Sequence, residues 1–359
     1  MDRFPAQLVE SASLAVHSAL ATSTRTTYAA GLLRFTQFCD RWDISEADRM
    51  PASYFLLCAF IADFKGRVSG GTVRSWLSGI RQWHLLNHAP WHGDDDWVHL
   101  ARVAANKEGA IHRRPLRSPI SLEHLHALRS SLDVSRPHHA AVWAAATCAF
   151  FGCRRLGEVL ITSVSGFDPA YHVTRRSSVA FKVSREGVSS ASFSIPWTKT
   201  TRESGATVVL TARHDALCPV AALRNHISVN ASVDADAPMF AFVLGPGSWS
   251  HLPKPSFLSF CGDIWRLAAL HHVHGHSFRI GGAVELLLAG VPPEVVAATG
   301  GWTSLAFLLY WRRVDEILPR CTSKAYSQSN LKQLACILEQ FRSRHNIPSS
   351  FLTSSSLEL

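Results

Sequence analysis

The sequence predicts a mainly α-helical chain carrying one small antiparallel β-sheet, an α+β protein in two parts, on three observations. Apolar residues recur at three- and four-residue steps through the first part of the chain, the pattern of helices with one buried face. Between Val173 and Leu210 the pattern changes to alternation, with turn signals at Arg185-Glu-Gly187 and Arg202-Glu-Ser-Gly205, which reads as a small antiparallel sheet. Between Lys107 and Pro119 the chain turns basic and is interrupted by Pro115 and Pro119, which marks a domain boundary.

Residues 1–22 read as an N-terminal extension. Ser23 reads as the N-cap of a helix whose Tyr28, Leu32, Phe35, Cys39 and Trp42 mark a buried face, with Arg34 and Arg41 off that stripe. Pro51 suits the first position of a second apolar helix running through Phe60 and Phe64. Gly70-Gly71-Thr72 caps a third from Val73 to Leu86: Val73, Trp76, Leu77, Ile80 and Trp83 face inward, and Arg74, Ser78 and Arg81 share the opposite face. These helices form a unit over residues 23–106, followed by a basic linker over 107–119 that carries Arg113, Arg114 and Arg117.

A second unit spans residues 120–325. Ser121 caps its first helix, and the alanine-rich stretch from His138 to Phe151 is a buried helix ending near Gly152. After the sheet, helix resumes at Cys218-Pro219, over Ser256 to Leu270 and over Phe278 to Ala289; Pro292 opens a short helix and Thr303 to Ile317 forms another. Leu331, Leu334, Leu338 and Phe341 give residues 326–346 a helical apolar stripe that packs on its own domain or docks on a neighbouring protomer. Residues 347–359 have the composition of a disordered tail.

Composition narrows the function. With 359 residues, 47% of them hydrophobic, the chain is long enough for two cores. A net charge of +9 points to a polyanionic partner, nucleic acid ahead of membrane. No apolar run approaches the roughly 18 residues of a membrane span, and Asp2 follows Met1 without an apolar leader, so the chain reads as soluble. Eight cysteines with no CxxC pair read as reduced thiols inside a cell. His271, His272, His274 and His276 crowd one segment, but no cysteine or carboxylate stands beside them at ligand spacing, so neither metal nor other cofactor is expected. His124, His126, His138 and His139 read as helix-surface residues.

The residues with a chemical purpose are Arg155, Lys199, His276, Arg279, Trp302 and Tyr310. Together they make a phosphate clamp around a nucleophile. When a phenolate attacks a phosphodiester, negative charge gathers on the non-bridging oxygens, and guanidinium forks match those oxygens bidentately. An imidazole and an indole N–H add pre-aimed donors. A phenol with a pKa of about 10 is a weak nucleophile at neutral pH until neighbouring cations favour its phenolate. The leaving 5′-oxygen needs a proton, for which Lys199 on its hairpin is suited and Lys182 competes.

At these residues the chain resembles the tyrosine recombinases, the phage-integrase family. Gly152-Cys-Arg-Arg155-Leu-Gly-Glu158 resembles that family's first-arginine motif; Arg155 fits the register better than Arg154, and Glu158 stands where an acidic residue braces the arginine. His276-Ser-Phe-Arg279 matches the His-x-x-Arg box, Trp302 falls at the second His/Trp position, and Tyr310 lies where the nucleophile is expected. Ile195-Pro-Trp-Thr-Lys199 resembles the strand and turn that carry the family's lysine. Arg279-Ile-Gly-Gly-Ala283, Gly-Trp-Thr-Ser and Phe-Leu-Leu-Tyr310-Trp-Arg are spelled most like the crypton branch, recombinases of eukaryotic mobile elements.

The resemblance runs from about Ser23 to Arg313. It implies a helical core-binding domain and a catalytic domain that close on double-stranded DNA as a clamp, and a homotetramer on that DNA. It implies cutting and rejoining through a 3′-phosphotyrosyl intermediate without metal or ATP, for integration and excision of a mobile element in the nucleus. Arg34, Arg41, Arg74, Ser78, Arg81, Arg113, Arg114 and Arg117 are then the expected backbone contacts to DNA. A type IB topoisomerase shares the chemistry, and a domesticated DNA-binding protein could keep the fold without it.

Overall fold

The computed structural model describes residues 4–20, 22–115 and 117–302, together with positions 319, 323, 336, 339, 340 and 343. Tyr310, the helix expected around it, the tail and all but four positions of the C-terminal helix lie outside the described residues. The chain divides into two compact units, Met1–Leu116 and Arg117–Leu359.

The first unit is helical: α1 (Ala6–Ser18), α2 (Thr22–Arg41), α3 (Glu46–Arg49), α4 (Tyr54–Phe64), α5 (Gly70–Leu86) and α6 (Asp96–Glu108). Its core joins Phe35, Phe38 and Cys39 of α2 to Leu57, Phe60 and Ile61 of α4 and to Val73, Leu77 and Ile80 of α5. Phe60 is the hub, edge-on to Phe35 at 5.5 Å, Phe38 at 5.6 Å and Phe64 at 5.2 Å, the geometry that ring quadrupoles prefer.

Several expected details move. The extension carries α1, and α2 begins at Thr22, so Ser23 lies inside it. Trp42 is 62% exposed, because α2 ends at Arg41 and the helical period no longer governs the next residue; Phe38 takes the inward place. Ser53, not Pro51, opens the second apolar helix, accepting the Leu56 N–H at 3.2 Å. Ser69 caps α5 in the same way, accepting from Thr72, and the inward and outward faces of α5 are as its sequence reads. Helix α6, capped by Asp95, runs into the expected linker and is followed by a 3-10 turn, Gly109–His112.

The second unit is built around α8 (Pro137–Phe151), which follows α7 (Leu122–Ser131). Every residue of α8 from Ala140 to Phe150 is buried, and alanines let neighbouring elements approach on all sides. A four-residue α9 (Leu156–Val159) comes next. Strands β1 (Ala180–Val183), β2 (Ser189–Ile195) and β3 (Ala206–Thr211) pair antiparallel in that order, with Ala191, Phe193, Ile195, Val208 and Leu210 turned to the core. Their turns fall at the two places the sequence marks, Gly187 and Gly205 having φ of 80° and 59°.

Helix α10 (Pro219–Val229) precedes a second hairpin, β4 (Phe242–Gly245) with β5 (Ser248–Ser250), whose strands are too short for alternation to reveal. Then come α11 (Lys254–Leu267), α12 (Ser277–Leu288) and α13 (Pro293–Gly300). Helix α12 lies hard against the chain around α8: a methyl group on Gly281 or Gly282 would collide with the carbonyl oxygens of Ile120 and Phe150.

The histidine reading changes too. His124 is buried, its Nδ1 2.8 Å from Ser121 Oγ, while Trp265 Nε1 donates to its carbonyl at 2.8 Å. His138 packs edge-on against Phe242 and Phe260 at 4.7 and 4.9 Å, while His139 is partly exposed and His126 exposed. Among the described residues no helix is long and apolar enough to cross a membrane.

Candidate active site

Three segments far apart in sequence meet at the end of α8. Arg155 caps α9 and is braced by Glu158 of the same turn: its Nη1 donates to Oε1 at 2.6 Å and its backbone N–H to Oε2 at 3.3 Å. The carboxylate is buried and the guanidinium half-buried, so the pair holds one fork in a fixed attitude with part of it open to solvent. Its Nε and Nη2 make no hydrogen bond among the described residues.

Arg279, in the first turn of α12, is fully buried. Its Nη1 donates to the carbonyls of Cys153 and Gly300, both at 2.8 Å. Its guanidinium carbon lies 3.8 Å from the centre of the Trp302 ring, within cation–π range. One side chain therefore ties the turn after α8 and the end of α13 to α12. The contact with Gly300 and Trp302 depends on two glycines: the Trp302 ring occupies the place of a side chain at Gly300, and Gly301 ends α13 with φ of 69°.

His276 caps α12 and is half-buried. Burial first, then the positive charges of Arg279, Arg117 and Arg155, push its pKa down to about 4, with Glu158 opposing. The imidazole is thus neutral at pH 7, with one nitrogen to accept a proton and one to donate.

Arg154, the neighbour of Arg155, has another place. It is buried, donates from Nη2 to the Thr207 carbonyl of β3 at 2.8 Å, and keeps its Nε buried with no hydrogen-bond partner among the described residues. Its Nη1 would stand 3.4 Å from a methyl group on Gly301, so it lies between the β2–β3 hairpin and the turn that leads toward Tyr310.

Lys199 is exposed on the β2–β3 turn, which Thr198 organises by hydrogen bonds to Thr200 and Thr201. No hydrogen bond or ion pair among the described residues joins Lys199 to the arginine cluster, and Lys182 on β1 is likewise exposed. Tyr310 lies outside the described residues.

The expected DNA contacts separate into groups. Arg74 and Arg81 are exposed on α5, with the Ser78 hydroxyl donating back to the Arg74 carbonyl at 3.0 Å. Arg34 is exposed and donates to Gln37 at 2.8 Å. Arg41 is paired with Asp63 at 2.5 Å, which compensates its charge within the unit. Arg113 donates to the Asn106 carbonyl at 3.0 Å and Arg114 is exposed. Arg117, read as a linker residue, is close enough to act on His276 electrostatically.

Sequence reading passed over the two backbone carbonyls that hold Arg279, since backbone acceptors leave no trace in residue identity. Among the described residues no group of three or more His, Cys, Asp or Glu is poised to hold a metal ion.

No family model matches the chain, and no curated protein matches it. Solved structures do. XerH site-specific recombinase bound to its palindromic difH substrate, a post-cleavage complex, aligns over 88% of this chain and 79% of its own at 15% identity, with a TM-score of 0.51. XerH in a pre-cleavage complex with difH covers 81% of this chain and 78% of its own at 14% identity, TM-score 0.46. XerA recombinase covers 85% and 93% at 15% identity, TM-score 0.38. The fold resembles that of the tyrosine recombinases.

Proposed function

We propose that this chain is a tyrosine recombinase: a DNA strand-transfer enzyme that cuts and rejoins duplexes through a 3′-phosphotyrosyl bond. The observation that carries the reading is the convergence at one place of a braced Arg155, a clamped Arg279 with its Trp302 lid, and a neutral His276, just ahead of the segment bearing Tyr310.

In this reading the Tyr310 oxygen attacks the scissile phosphorus, forming the phosphotyrosyl ester and breaking the bond to the 5′-oxygen. His276, neutral and cation-flanked, takes the phenol proton. Arg155 and the indole of Trp302 donate to the non-bridging oxygens, and Arg279 supplies fixed positive charge from below. Lys199 or Lys182 gives the 5′-oxygen its proton. A 5′-hydroxyl from a partner duplex then reverses each step. The bond energy is kept in the ester, so the exchange needs no ATP.

The spelling of the segments around Arg279 and Trp302 supports a crypton-like element in a eukaryotic nucleus, with integration and excision as the task and a tetramer on paired sites as the assembly. Exposed Arg34, Arg74 and Arg81 suit phosphate contacts by the first unit. The test is product topology. On supercoiled plasmids carrying two copies of a duplex selected by the protein from random sequence, in EDTA, deletion or inversion products are expected, and Arg279→Ala should abolish them. Relaxation of site-free plasmids by a monomer would instead indicate a type IB topoisomerase. Tight binding with neither product would indicate a catalytically silent descendant.

A further inference from the structure

Lys254 lies beside Gly275, the residue that precedes His276. It is the first residue of α11, set between Pro253 and Pro255, with its backbone N–H held by the Ile161 carbonyl at 2.8 Å. The side chain is half-buried and runs beside Gly275, the residue before His276. A methyl group on Gly275 would lie 2.8 Å from Lys254 Cε, 3.5 Å from its Nζ and 3.4 Å from Leu156 Cδ1. Leu156 follows Arg155, so the ammonium stands where the Arg155 and His276 segments come together.

That placement gives the ammonium no counter-charge among the described residues. The first turn of a helix carries partial positive charge and favours acidic residues, yet α11 has none there and opens with a lysine. Among the described residues Nζ has neither a carboxylate partner nor a hydrogen bond. Around His276 stand Arg117, Arg155 and Arg279 against a single acidic group, Glu158.

The geometry points to Lys254 as a further phosphate-binding residue of this site, its ammonium donating to a non-bridging oxygen of the phosphodiester beside Arg155. This rests on the strand-transfer reading. Lys254 adds charge to the phosphate and moves no proton; the leaving 5′-oxygen takes its proton from a sheet lysine, Lys199 or Lys182.

The experiment compares wild type, Lys254→Ala, Lys254→Arg, Lys199→Ala and Lys182→Ala in single-turnover adduct formation. The substrates are nicked duplexes with an ordinary or a 5′-bridging phosphorothiolate linkage. Lys254→Ala should slow cleavage about ten- to a hundredfold, the range for loss of one charged donor to a transition state. Lys254→Arg should recover most of the rate. A thiolate leaving group needs no proton, so phosphorothiolate should rescue the slow one of Lys199→Ala and Lys182→Ala and leave Lys254→Ala slow. Cleavage by Lys254→Ala at the wild-type rate, or its rescue by phosphorothiolate, overturns the assignment while the strand-transfer reading stands.

If the wild type itself forms no adduct, that reading fails, and the phosphate site is examined alone by titrating inorganic phosphate against the folded protein and following the His276 ring by NMR. Lys254→Ala should then weaken phosphate at least about fivefold. Equal affinity overturns the assignment.

Discussion

His276 shows how much of this site is electrostatic. Isolated imidazole titrates near 6.5, but here burial and three guanidinium groups hold it down to about 4. Between pH 6.5 and 4 the unfolded chain therefore binds a proton at this position that the folded chain does not. The contribution to stability is full above pH 6.5 and is lost as pH falls through about 4. His226, buried and lowered to about 4 by the same cause, adds in the same direction, so the assignment to His276 needs a residue-specific probe. NMR titration of the His276 ring should give a midpoint near 4, shifted upward when inorganic phosphate binds, because an anion offsets the cations around it. A midpoint near 6.5, unmoved by phosphate, would show that the ring does not sit in this field.

At the scale of elements, the site depends on close approach more than on side-chain bulk. Helix α12 places Arg279 because Gly281 and Gly282 let it press on the Ile120 and Phe150 carbonyls. Gly282→Ala should cost about 1–3 kcal/mol in chemical denaturation, the usual penalty for overpacking a close-packed contact. Gly262→Ala in α11, where nothing lies within 4 Å of the added methyl group, should stabilise by about 0.5–1 kcal/mol. Equal effects of the two would mean that the α12 contact is looser than described.

The same contrast explains what could be read from sequence. The outward and inward faces of α5, the buried run of α8 and the turns at Gly187 and Gly205 were legible, because periodicity and turn chemistry act within a few residues. Trp42, His124 and the β4–β5 hairpin were not. Their fate depends on where a helix happens to end, on a tryptophan more than a hundred residues away, and on strands of three and four residues. The site divides in the same way: Arg155, His276, Arg279 and Trp302 stand out as a motif set, whereas Lys254 and Arg117 belong to it only through tertiary contact.

For the whole molecule, the net charge of +9 is meaningful only where the cations are uncommitted. Arg74 and Arg81 are exposed on α5, while Arg41 is held by Asp63. If α5 tracks a phosphate backbone, Arg74→Ala and Arg81→Ala should each lower the slope of log affinity against log salt by about 0.9 on duplex DNA. Arg41→Ala should leave that slope unchanged. Fluorescence anisotropy over a salt series measures it, and slopes unaffected by Arg74→Ala and Arg81→Ala would move the DNA to another face of the unit.

The central claim is that Tyr310 is the nucleophile of a metal-independent phosphoryl transfer, and covalent trapping tests it most directly. The protein is incubated in EDTA with a pool of nicked duplexes bearing 5′-bridging phosphorothiolates, adducts resistant to SDS are isolated, and the modified peptide is mapped by mass spectrometry. The account predicts a nucleotide joined to Tyr310, absent from Tyr310→Phe although that variant still binds DNA. An adduct on any other residue, or one that persists in Tyr310→Phe, would contradict it.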